Sequence, residues 1–190
     1  MLKRGLDKTQ NFDFDIKLFN TSALTELLTP QLNLGDGTHL SGSFNNREEG
    51  LSMDINSPSL SWNKWLWHDL QINSQTSSEH CEIILLSSKL DYDNLTKVEN
   101  IELDQVGNYG DWRYALTWTS KDSLKFDGVL KGSAHVDAKS LDMSLDESQF
   151  YFADTLWTLK DSSNFHYYDS ELSTQAVSYT HLTLPTIYSV

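Results

Sequence analysis

Apolar and polar residues alternate one for one through much of this chain, and no other feature of the sequence limits its fold so tightly. Between Asn11 and Phe19, Phe12, Phe14, Ile16 and Leu18 fall on one phase, with Asp13, Asp15 and Lys17 on the other. Leu51, Met53 and Ile55 alternate with Ser52, Asp54 and Asn56; Trp112, Tyr114, Leu116 and Trp118 with Arg113, Ala115, Thr117 and Thr119; Leu141, Met143 and Leu145 with Asp142, Ser144 and Asp146. A strand sends successive side chains to opposite faces, so each stretch predicts a β-strand with one apolar and one wet face.

Less regular strands are expected in HLSGSFNN, DLQINS, CEIILLSS, KVENIELDQV, LKFDGVLKGSAHVD and QFYF, with turns at Gly35–Gly37 and Asn108–Asp111 between them. Roughly a dozen short strands in succession predict an all-β antiparallel meander. One segment departs from the pattern. In TSALTELLTPQL, Thr21 or Ser22 is a candidate cap, Leu24, Leu27 and Leu28 have helical spacing and Pro30 is a stop, which predicts a short helix near the N-terminus.

Ser59–Leu70 carries Trp62, Trp65 and Trp67. If Asn63 and Lys64 form a two-residue hairpin turn, Trp62 faces Trp65 across the strands and Leu60 faces Trp67 on the same side. Leu70 and Ile72 have the opposite parity from the tryptophans, so a bulge near His68 and Asp69 is expected if one face is to stay apolar.

The formal net charge of −13 excludes a phosphate backbone as partner, since nucleic-acid affinity rests on clustered Lys and Arg. Cys81, the single cysteine, permits neither an internal disulfide nor a thiolate metal cluster. The carboxylates fall on the polar phase of strands or in turns, where they solvate a face rather than form the spaced pair of a glycosidase. His80 and Cys81 are adjacent on a strand and point to opposite faces, and no phosphate loop, nucleophile elbow or paired-His motif is present. No catalytic residue, metal ligand or cofactor is expected, and the chain is not read as an enzyme.

The first ten residues are followed by no apolar run and no stretch of 18 apolar residues occurs, so if the full protein resides in an envelope compartment its targeting segment is expected to lie outside this chain. From Ala176 onward there is no charged residue; residues 177–190 resemble a translated sequencing adapter, and 1–176 are taken as the functional part.

Three stretches resemble the TamB-like proteins of Bacteroidetes, within the AsmA-like group: ALTELLTPQLNLGDGTHLSGSF, with Leu40, Gly42 and Phe44 as L-x-G-x-F; LSMDINSPSLSWNKWLWHDLQIN, a strand followed by a proline-linked hairpin; and FDGVLKGSAHV through FADTLWTLKDSSNFHYYDSEL, where Asp154–Leu159 is similar to a D-x-x-W-x-L element around Trp157. The resemblance covers most of Phe12–Gln175. It implies an internal fragment of a longer, inner-membrane-anchored periplasmic protein whose sheet curves into an open, elongated, taco-like groove. Such a groove is expected to carry phospholipid acyl chains between the inner and outer membranes, contributing to outer-membrane biogenesis, with an outer-membrane assembly protein as a further partner. On this reading the groove is lined by Phe12, Phe14, Ile16, Leu18, Met53, Ile55, Leu60, Trp62, Trp65, Trp67, Trp112, Tyr114, Leu116, Trp118, Phe126, Leu141, Met143 and Leu145. A methylene moved from water to an apolar surface gains about 0.8 kcal/mol, so such a trough holds hydrocarbon without specific polar contacts.

Two other readings fit the same residues. A secreted or surface β-sandwich would bind glycans through the aromatic patch, using Asn63, His68 and Asp69 as polar partners. A structural spacer within a large envelope protein would bind nothing.

Overall fold

The computed structural model describes residues 10–21, 31–46, 50–93, 96–108, 110–120, 126–137, 139–152, 154–159, 163–168, 171–175 and 179–181. The strands are β1 (Asn11–Leu18), β2 (Leu32–Leu34), β3 (Thr38–Asn45), β4 (Gly50–Trp62), β5 (Trp65–Thr76), β6 (Cys81–Tyr92), β7 (Thr96–Asn108), β8 (Asp111–Thr119), β9 (Gly128–Val136), β10 (Ser140–Leu145), β11 (Ser148–Phe152), β12 (Thr155–Leu159), β13 (Ser163–Tyr168), β14 (Glu171–Gln175) and β15 (Tyr179–His181). All fifteen belong to one sheet, and every pairing in it is antiparallel. The expected helix between Thr21 and Leu32 lies largely outside the described residues. Of the segment set aside as foreign, Tyr179–His181 pairs with β12.

The main path runs β1-β3-β4-β5-β6-β7-β8-β9-β10-β13-β14. The remaining strands complete it by sharing partners. β2 and β3 both pair with β4, one on each half of its length. β10 and β11 divide β9 in the same way, β12 and β13 follow them, and β14 and β15 follow those. The sheet is therefore a series of long strands, several of them broken part-way along.

The breaks align into a seam that crosses the strands. It passes between β2 and β3 at Gly35–Gly37, where the turn expected from the sequence is present and both flanking strands pair with β4. It crosses β4 at Pro58 and β5 at Asp69, the positions that their ladder skips, and β6 and β7 at Ser88 and Asn100. Pro58 is inside β4, not in a link between a strand and a hairpin; a residue lacking a backbone donor fits where no ladder bond is made. Asp69 and Asn100 take left-handed φ values of 47° and 49°, a region Asp and Asn enter more readily than other side chains. Farther along, the seam separates β10 from β11 and β12 from β13.

Nearly everything buried lies on this seam. Among the described residues the buried apolar side chains are Leu70, Ile101 and Leu159, and the buried polar ones are Thr21, Thr38, Ser57, Ser87, Ser148 and Ser163. All but Thr21 flank a break. Small hydroxyls suit the place because an interrupted ladder strands carbonyl and amide groups that must be satisfied. Ser87 Oγ donates to the His68 and Lys89 carbonyls at 2.7 and 3.0 Å. Ser148 Oγ accepts from the Lys131 amide at 3.0 Å and donates to the Asp146 carbonyl at 2.9 Å. Thr38 Oγ1 lies 2.7 Å from Ser57 Oγ.

Candidate functional site

Cross-strand partners share a face, so the register assigns every paired side chain to one side of the sheet or the other. Seventeen of the eighteen residues proposed for the groove sit in strands, and all seventeen fall on one face. Phe126 precedes β9, outside the strands, and its carbonyl accepts a hydrogen bond from Trp118 Nε1.

The shared face is built as transverse rows. Ile16, Leu40, Ile55, Ile72, Leu85, Leu103, Leu116 and Leu130 are successive partners across eight strands. At about 4.8 Å per strand this band of aliphatic side chains is roughly 34 Å long. A parallel row passes from Phe14 through Gly42, Met53, Ser74, Ile83, Gln105, Tyr114 and Gly132 to Leu145. A third begins at Phe12 and Phe44 and ends at Trp112, Ala134, Met143 and Phe165.

Four aromatic rings on this face lie over glycines of a neighbouring strand. A Cβ on Gly42 would stand 2.6 Å from the Phe14 ring, one on Gly107 2.8 Å from Trp112, one on Gly132 2.5 Å from Tyr114 Oη, and one on Gly128 2.6 Å from Trp118. A missing side chain admits a large ring laid across the gap. This accounts for Gly42 in the L-x-G-x-F stretch, since Phe14 of β1 occupies its place.

Beyond the seam the face continues through Leu34, Leu60, Trp67, Leu90 and Val98, and then through Leu32, Trp62, Trp65 and Tyr92. The register pairs Trp62 with Trp65 and Leu60 with Trp67, as the two-residue turn requires, and Asn63 in that turn has φ 55°. Trp65 and Tyr92 approach to 4.5 Å between ring centroids. Trp62 is 55% exposed and Trp65 43%. His68 and Asp69 do not join the rings. His68 bonds Asp91 at 3.1 Å on the polar face, and Asp69 accepts from Ser88 Oγ at 2.7 Å.

Every charged strand residue whose side chain is described falls on the opposite face or in the seam. Lys89 and Asp91 form an ion pair at 2.7 Å on that face, and the His39 and His135 rings lie 3.0 and 2.7 Å from the Asp15 and Asp111 carboxylates. Burial alone would push the Asp91 carboxyl up, but hydrogen bonds from Lys89 and His68 outweigh it and hold the group below its ordinary value. The hydrogen bond to Asp111, with further attraction from Asp137, raises His135. On the apolar side, burial and then the Asp146 charge raise the Tyr114 phenol, and burial raises the Cys81 thiol.

Among the described residues the side chains of the apolar face are buried only at the seam and elsewhere stay partly exposed, so no second layer of these residues seals it. A depression of about 950 Å³ is lined chiefly by polar-phase residues of β8, β9, β10 and β13, with Gly107, Trp112, Ala134, Met143 and Phe165 of the adjoining row also contributing. Among the described residues no group of three or more His, Cys, Asp or Glu could hold a metal ion, and no helix is long and apolar enough to cross a membrane.

Sequence reasoning missed Leu40, Ile72, Leu85, Leu103 and Leu130 as members of the band. In Glu82–Leu86 both phases are apolar, and only the pairing of Leu85 with Ile72 and Leu103 separates the face residues Ile83 and Leu85 from Ile84 and Leu86. The chain matches no protein-family model, no curated protein and no solved structure.

Proposed function

We propose that this chain is a section of a lipid-transfer trough that holds phospholipid acyl chains. One observation carries the reading: among the described residues an apolar face without charged side chains extends from β1 to β13, and its side chains away from the seam stay partly exposed. In this reading the seam is the line along which the sheet would bend into an open, taco-like section with the apolar face inside. Its buried side chains belong to the apolar side, while Pro58, Asp69, Ser88 and Asn100 at the breaks are exposed, which supports that direction of bending. Hydrocarbon in such a trough gains about 0.8 kcal/mol per methylene removed from water and needs no polar anchor. Lateral sliding therefore costs little.

The resemblance to TamB-like envelope proteins suggests the setting: a periplasmic section of a longer, inner-membrane-anchored protein passing phospholipid toward the outer membrane, with an outer-membrane assembly protein as partner. Holding and passing lipid requires no catalytic group.

A photoreactive residue placed at Phe14, Met53, Leu116 or Met143 should crosslink to phospholipid in cells, and the purified protein should carry phospholipid detectable by mass spectrometry. Absence of lipid adducts at all four positions overturns the reading. The exposed pair Trp62–Trp65 with Tyr92 beside it keeps glycan binding as a second reading. In that case Trp65→Ala or Trp67→Ala abolishes binding to a glycan array with the fold unchanged.

A further inference from the structure

The polar face carries a second set of aligned residues that the lipid reading leaves unused. Arg113, Ser133, Ser144 and Asn164 are successive cross-strand partners on β8, β9, β10 and β13. They line the 950 Å³ depression, and none of the four has a side-chain partner among the described residues. A parallel row beside them, Asp111, His135, Asp142 and His166, is also aligned strand by strand. Its members are already paired: Asp111 with His135 Nδ1 at 2.7 Å, and Asp142 with His166 Nδ1. Tyr168, 51% exposed, stacks on His166 at the margin with ring centroids 6.4 Å apart.

The depression thus has a floor of unengaged hydroxyl, amide and guanidinium groups and a wall of carboxylates whose second oxygens remain available as acceptors. Rigid strands fix the groups about 4.8 Å apart along a line, a spacing close to that of successive rings in an extended sugar chain. Carboxylate, amide and guanidinium groups each present two polar atoms side by side, which matches neighbouring hydroxyls on a pyranose. The site offers both acceptors and donors, so it suits a neutral polyhydroxylated ligand better than an anion, and a chain of net charge −13 repels anions further.

We propose that the polar face of β8, β9, β10 and β13 is a binding site for a linear, neutral oligosaccharide lying across the strands over Arg113, Ser133, Ser144 and Asn164. The site is separate from the aromatic end at Trp62–Trp65 and does not depend on the lipid reading.

Nuclear magnetic resonance of the full chain with cellohexaose and with chitohexaose at millimolar concentration tests it. The backbone amides of Arg113, Ser133, Ser144 and Asn164 should shift with at least one of the two. The sugar that does so tells whether hexose hydroxyls or N-acetylhexosamine groups are recognised. The double variant Arg113→Ala, Asn164→Ala removes two exposed, unpaired side chains, so it should melt like the parent and lose about tenfold or more in affinity. The proposal is overturned if neither sugar shifts these amides, if the double variant binds undiminished, or if the shifts fall on residues 62–67 and vanish in Trp65→Ala.

Discussion

Glu99 and Glu102 stand three positions apart on β7 yet share a face of the sheet, because their partners on β8, Thr119 and Thr117, are two positions apart. The extra residue is absorbed at the seam, where Asn100 turns left-handed at φ 49°. The same step recurs along the ladder, between Leu86 and Lys89 on β6 and between His68 and Gln71 on β5. β4, β5, β6 and β7 therefore invert their parity together at the seam, while β8 and β9 keep theirs, and the apolar face stays continuous.

The backbone at Asn100 sets a first expectation. Asn100→Val places a β-branched residue at positive φ and removes the 2.8 Å bond from Asn100 Nδ2 to Thr119 Oγ1, at a cost of about 2–3 kcal/mol. Asn100→Gly keeps the conformation and loses the bond alone, costing about 1 kcal/mol. Urea unfolding of the two variants checks the order; equal losses would show that the left-handed turn is not what Asn100 supplies.

Stability should be concentrated at the seam. Leu70→Ala and Ile101→Ala remove side chains that are 3% and 5% exposed and should each cost about 2–4 kcal/mol. Ile16→Ala and Trp62→Ala act on side chains that are 46% and 55% exposed and should each cost under about 1 kcal/mol. Thermal melts of the four variants separate a seam-centred core from one spread over the whole apolar face.

Leu85 and Leu86 are neighbours on opposite faces. Leu85→Asp puts a charge in the middle of the aliphatic band and should remove co-purifying phospholipid, whereas Leu86→Asp, with the same charge one residue away, should leave it. Lipid mass spectrometry on both proteins reads the difference, and equal lipid content in the two would count against the trough.

The pH dependence follows from two groups of opposite sign. His135 is raised by Asp111 in the folded sheet, so its contribution is complete below the ordinary histidine value and fades as pH climbs through the folded one. Asp91 is lowered by Lys89 and His68 against the pull of burial; its contribution holds above the ordinary carboxyl value and fades as pH falls through the folded one. His135→Gln should accordingly lower the melting temperature in mildly acidic buffer and not in alkaline buffer, while Asp91→Asn should lower it near neutrality and lose its effect in acid. Melting curves across the pH range test both signs.

The strands and their facing were legible in the sequence wherever alternation was clean, as in β1, β8 and β10, since a period of two leaves one assignment of faces. The hairpin pairing of Trp62 with Trp65 was legible too, because two polar residues between aromatics specify the register. The seam was readable only at one point, the parity change between Trp67 and Leu70. Elsewhere its signals, Pro58 and the Gly35–Gly37 stretch, read as ordinary turns, and what distinguishes them is a shared long partner in β4 that no local pattern encodes. The row Arg113, Ser133, Ser144 and Asn164 was invisible for a related reason: three members come from consecutive strands and the fourth from β13, and they meet through register alone.

Since each strand leans on the two beside it and on little else, size here is not capped by the volume of a central core. Further hairpins of the same alternation would lengthen the sheet strand by strand, and damage to one strand would weaken its immediate neighbours while leaving distant ones nearly untouched. Reach becomes a matter of counting hairpins.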